Sequence, residues 1–140
     1  TRFLATVESP VHDSVKRAIV EAGDTSTVSW GRRIGIARTL NNAFTRRYRE
    51  LELDGASAEQ LRALIGDYDG APGGRRVGGL RHGDLEEGEI YMGAGAGMIR
   101  EVLTCREVIE GAMAEAARIH DTIGATLRAA PAARAPATLA

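Results

Sequence analysis

The 140 residues suffice for one hydrophobic core and fall short of two ordinary domains; with 44% apolar but only 4% aromatic residues, that core is built from Ala, Val, Ile and Leu. Eighteen basic residues against 19 acidic ones leave a net charge of -1, which removes the electrostatic case for nucleic acid or an anionic membrane as partner. No apolar run reaches the roughly 18 residues that span a bilayer, and the single cysteine, Cys105, excludes an intrachain disulfide framework and fits a reducing, cytoplasmic compartment.

The chain opens on TRFLAT (1–6), an apolar run that predicts a short buried strand ending at the polar turn Glu8-Ser9-Pro10. Pro10 biases Ser9 away from helix, so the next helix starts beyond it. Val15, Ala18, Ile19 and Ala22 recur at three- and four-residue steps, which gives one face of an amphipathic helix over about 12–22. Gly23 stands where a left-handed cap would close it. TSTVSW (25–30) is rich in β-branched residues and predicts a strand ended by Gly31. RIGIAR (33–38) alternates weakly and can pair with it in more than one register.

Asn42 introduces the helix AFTRRYREL, and Ser57 with Gln60 forms a capping box for another that runs to Ile65 or Gly66. Residues 69–83, DGAPGGRRVGGLRHG, hold glycine and proline at a density that predicts a long loop. Thr104 and Glu107 make a further capping box. The helix behind it sets Val108, Ile109, Ala112, Met113, Ala116, Ile119, Ile123 and Leu127 on one side, a stripe suited to a sheet or barrel wall. The tail AAPAARAPATLA (129–140) is low-complexity and reads as disordered. One strand at the front and one long helix at the back lack the sheet that both would cover, so the order reads as a piece of a larger layered fold.

Glycines 93, 95 and 97 in GAGAG lack the spacing of a dinucleotide-binding turn, whose acidic partner would fall inside the long helix near Glu115. They predict a tight turn at which the backbone passes close to a cofactor or to another helix. His12, His82 and His120 have no metal-ligand spacing, so no metal site is expected. His12 reads as a helix cap or a solvent-facing side chain. Cys105 lies in a first helical turn without a local histidine and reads as a packed thiol. Arg46, Arg47 and Arg49 read as a solvated face, Arg75 and Arg76 as the same or as phosphate ligands, and Trp30 as the seal of a small cluster.

Four stretches in order, TRFLAT with Glu8-Ser9 close behind, AGDTSTV, ARTLNNAF and GEIYMGAGAGMI ahead of a capped helix, resemble the C-terminal part of the nitronate monooxygenases, once called 2-nitropropane dioxygenases. The flavin-dependent enoyl-acyl-carrier-protein reductases are similar. The resemblance spans about residues 1–125 and implies an α/β fold: the C-terminal fragment of a (β/α)8 TIM barrel with an inserted small α+β lid domain. On that scheme 1–23 are the last barrel strand and a connecting helix, 24–92 the lid, 93–128 a flavin-facing glycine loop and the last barrel helix, and 129–140 the tail. The first seven strands would lie upstream of Thr1.

The resemblance further implies an FMN-dependent oxidoreductase that oxidises alkyl nitronates with O2 to a carbonyl compound and nitrite. A flavin-dependent enoyl reductase on the same scaffold is the alternative, and a non-enzymatic interaction module a second. Thr1 matches the family threonine at the end of strand eight that binds the FMN phosphate. Gly93, Ala94 and Gly95 match a loop that approaches the flavin. Ala94 stands where the family usually has glutamine, so a polar contact from that side chain is lost. The family's catalytic histidine matches none of the three here, so no catalytic residue is expected in this chain.

Overall fold

In the computed structural model, which describes residues 1–66 and 73–129, three helices begin where a side chain close by in sequence satisfies the free amides of a first turn. His12 Nδ1 accepts the Ser14 amide at the head of α1 (Asp13–Val20). Asn42 and Thr45 exchange reciprocal side-chain-to-amide bonds at α2 (Ala43–Leu53), and Ser57 and Gln60 do the same at α3 (Ala58–Ile65). α1 ends at Glu21 in a right-handed conformation, so the left-handed cap expected at Gly23 does not form. Gly23 serves packing instead: a Cβ on Gly97 would stand 3.1 Å from its carbonyl carbon.

β1 (Thr27–Trp30) and β2 (Ala37–Leu40) pair antiparallel, with Thr27 opposite Leu40 and Trp30 opposite Ala37. The second strand is therefore ARTL, displaced toward the C-terminus from the RIGIAR expectation. The reason lies at Gly31 (φ 81°), whose carbonyl accepts the amides of Ile34 and Gly35 and so draws residues 31–35 into a turn. The segment 90–92 lies along the other edge of β2: Leu40 donates to the Ile90 carbonyl at 2.9 Å, and Tyr91 bridges Thr39.

Two further expectations fail. TRFLAT is not a strand: Arg2–Ala5 form a 3-10 turn, and Phe3 is 55% exposed. A strand needs a continuous ladder, and among the described residues this run finds a single parallel bridge, Thr6 to Leu103, with the Val7 amide on the Leu103 carbonyl at 2.9 Å. The glycine-rich stretch expected as a loop contains α4 (Arg75–His82), closed by Gly83 in the left-handed conformation. Residues 67–72 and 130–140, which hold the rest of that stretch and nearly all of the expected tail, lie outside the described residues.

The chain divides into two units, Thr1–Cys105 and Arg106–Ala140. The first has two apolar clusters. One joins Ala5, Val15 and Ile19 to Ile90, Met92, Ala96 and Ile99. The other packs Trp30, Phe44 and Tyr48 edge to face with Leu61 and Ile65, so Trp30 seals a cluster as expected. The second unit is the body of α5 (Cys105–Ala129), which starts directly after Thr104 as the sequence predicts. Its Ile109, Met113, Ile119 and Ile123 are exposed, Met113 at 67%.

Candidate functional site

Thr1 and the glycine loop, 92 residues apart in sequence, meet. The Gly93 amide donates to Thr1 Oγ1 at 2.6 Å. The two segments reach this point by separate routes. Residues 90–92 are aligned by the edge of β2, and Ala96 sits fully buried in the first cluster. The loop between them is therefore held at both ends, and it closes as a 3-10 turn over Ala94–Met98 with the Ala96 amide on the Gly93 carbonyl. The opening segment is pinned by Arg2, whose Nη1 donates to the Glu101 carbonyl at 2.8 Å, and by Ala5 in the same apolar cluster.

The three glycines divide by role. Gly97 is buried because its backbone passes Gly23 and Asp24 too closely for a side chain to fit at ease. Gly93 rests on the Thr1 hydroxyl. Among the described residues no heavy atom lies within 4 Å of a hypothetical Cβ on Gly95, and Gly93, Ala94 and Gly95 are all exposed. The close approach at Gly97 is to the backbone of Gly23, between α1 and β1, while residues 93–95 form an exposed rim. A hydroxyl that accepts one hydrogen bond still has its proton to donate. Thr1 and an exposed backbone free of bulky side chains fit a phosphate-bearing, planar group such as a flavin nucleotide, to which this chain would offer a hydroxyl donor and close backbone contact.

The other residues singled out lie elsewhere. Arg75 is engaged inside the protein: its guanidinium meets the Glu87 carboxylate at 2.8 Å and the Glu87 carbonyl at 2.9 Å, and lies 4.4 Å from the Phe44 ring centroid. Arg47 grips the same carboxylate with two bonds of 3.0 and 2.8 Å. The hydrogen bonds from Arg47 and then Arg75 hold the Glu87 carboxyl down at about 2. Arg76 lies 5.8 Å from the Tyr91 ring centroid. His82 ends α4, and His120 lies exposed beside Asp121. The Cys105 thiol is half-buried, 3.6 Å from Thr6 Oγ1.

Sequence reasoning missed Glu8. Its two carboxylate oxygens both accept the Cys105 amide, each at 3.0 Å, and cap α5 from 97 residues away. A capping acid beside its helix leaves a local pattern, but one brought in by the tertiary fold leaves none.

A sequence profile of nitronate monooxygenases matches residues 1–115. Among solved structures, FabK from Thermotoga maritima is similar at 30% identity and a TM-score of 0.73, over 89% of this chain and 38% of that one. A methionine-to-alanine mutant of the same protein gives 29% identity and a TM-score of 0.68, over 89% and 35%. The chain thus spans well under half the length of the solved structures it matches.

Proposed function

Since the chain belongs to the nitronate monooxygenase family, a family of flavin-dependent oxidoreductases, we propose that it forms the FMN-phosphate and flavin-rim portion of an enzyme that oxidises alkyl nitronates with O2 to a carbonyl compound and nitrite. The observation that carries this reading is the 2.6 Å bond between the Gly93 amide and Thr1 Oγ1. It brings together the two segments that the family resemblance assigns to one cofactor.

FMN, when bound, would supply the redox chemistry. Thr1 would donate its hydroxyl proton to a phosphate oxygen while the Gly93 amide fixes the orientation of that oxygen donor. Gly93, Ala94 and Gly95 would let the cofactor approach the backbone closely. Residues 24–92 would form the lid over the substrate, and the catalytic base would come from another part of the protein. Ala94 in place of the family's glutamine leaves that side of the site without a polar side chain.

The similarity to FabK favours a second reading, in which the same portion serves an enoyl-acyl-carrier-protein reductase using NAD(P)H. The enzymatic character of the family favours either over a stand-alone interaction module. The full-length protein loaded with FMN tests both. Nitrite release from an alkyl nitronate under O2, without enoyl-dependent NADH oxidation, is the expected result. The reverse pattern overturns the first reading in favour of the second, and neither activity overturns both.

A further inference from the structure

Away from Thr1 and the glycine loop, a cavity of about 390 Å³ opens beside the β1–β2 hairpin, within the size range of small-molecule sites. Trp30, Ile34, Ala37 and Ile65 give it apolar walls, and Glu89, Tyr91 and Arg62 supply its polar groups. The indole Nε1 already donates to Thr39 Oγ1 at 2.9 Å, so Trp30 offers the cavity only its ring.

Glu89 is 1% exposed. Its Oε1 accepts the Tyr91 hydroxyl at 2.7 Å, and among the described residues Oε2 accepts nothing. A carboxylate has about four acceptor positions, and leaving them unfilled in an apolar setting is costly. Burial accordingly pushes the Glu89 carboxyl upward despite the Tyr91 bond and the charges of Arg76 and Arg75. Arg62 is exposed, and its guanidinium has no ion pair or side-chain hydrogen bond among the described residues. Among the described residues, one cation without an ion pair thus stands at the surface of the cavity and one under-used acceptor in its depth.

We propose that this cavity binds a small aromatic hydroxy acid, with its ring against Trp30 and Ile65, its hydroxyl donating to Glu89, and its carboxylate paired with Arg62. The nearby Arg76, over the Tyr91 ring, disfavours a cationic ligand in the same place. The site is independent of the flavin reading and stands or falls without it.

Trp30 is the single tryptophan of the 140-residue chain, so its emission reports the cavity directly. In mildly alkaline buffer, para-hydroxyphenylacetate is expected to quench it saturably. Phenylacetate, lacking the donor, is expected to bind about tenfold more weakly, the size of one hydrogen bond to a charged group. Tyramine, with the same phenol on a cation, should bind more weakly than either acid. Glu89→Gln keeps an acceptor for Tyr91 but offers the phenol only a neutral amide donor, so the preference for the phenol should shrink several-fold. Arg62→Gln, at an exposed position, should weaken both acids. Absence of saturable quenching, tyramine binding as well as the hydroxy acid, or a phenol preference that is undiminished in a folded Glu89→Gln protein would each overturn the proposal. Should Glu89→Gln not fold, the three-ligand comparison on the unaltered chain and on Arg62→Gln decides it.

Discussion

Thr1 shows how one side chain can join two distant segments and still keep a donor to offer. Its oxygen holds the Gly93 amide at 2.6 Å, and its proton remains available. Thr1→Val in the full-length flavoprotein removes both, so FMN is expected to dissociate about tenfold more readily, as when a hydrogen bond to a charged group is lost, while Thr1→Ser retains near-normal affinity. Recovery of flavin fluorescence on dilution measures this, and equal retention by both variants would count against the phosphate role. Glu87 gives a pH prediction. Its folded-state value lies at about 2 against an ordinary 4.5, so its contribution is fully present above about 4.5 and is lost as pH falls toward 2. The side chain is 42% exposed, so solvent screening limits that contribution to about 1 kcal/mol near neutral pH. In urea titrations Glu87→Gln should be less stable by that amount at pH 7, and the two proteins should converge as the solution is acidified through this window.

At the scale of elements, α4 shows how composition can mislead. Gly78, Gly79 and Gly83 in RRVGGLRHG look like loop residues, because glycine weakens a helix interior by close to 1 kcal/mol. The structure separates their reasons. A Cβ on Gly79 would fall 2.8 Å from the Ile90 side chain and 3.1 Å from the Glu89 amide, and one on Gly88 would overlap the Gly79 backbone. The helix uses glycine there because residues 88–90 press against it, an arrangement secured by the Glu89 amide on the Arg75 carbonyl at 3.0 Å. A Cβ on Gly78 would meet nothing within 4 Å among the described residues. Gly78→Ala should therefore stabilise the chain by about 0.5–1 kcal/mol, whereas Gly79→Ala should destabilise it by about 1–3 kcal/mol through overpacking. Chemical denaturation of the pair checks both signs. The capped helices behaved differently: Asn42 with Thr45 and Ser57 with Gln60 carry their own start signals, and α2 and α3 begin where those residues place them.

At the scale of the molecule, α5 carries a broad apolar stripe whose large side chains are exposed among the described residues. Ile109, Met113, Ile119 and Ile123 are each more than 40% exposed, and the chain spans 38% of the first solved structure it resembles. An apolar face of this extent favours association. The chain by itself is expected to self-associate at micromolar concentrations, and Met113→Glu combined with Ile119→Glu should return it to a monomer in sedimentation experiments without lowering the unfolding temperature of the first unit. A monomer in the unaltered chain would overturn this expectation.

Amino-acid order alone determined the capped helices, the β1 segment and the family, because caps, β-branched runs and collinear motifs are signals contained within a few residues of chain. Tertiary structure decided the rest. It turned TRFLAT from a strand into a 3-10 turn, since a strand exists only where a neighbour completes its ladder. It moved β2 to Ala37–Leu40, because the Gly31 turn consumes the residues before it. It brought Thr1 to Gly93, Glu8 to Cys105 and Glu89 to the Trp30 cavity. Each of these contacts depends on packing between segments distant in sequence, and no local pattern of residues encodes such a distance.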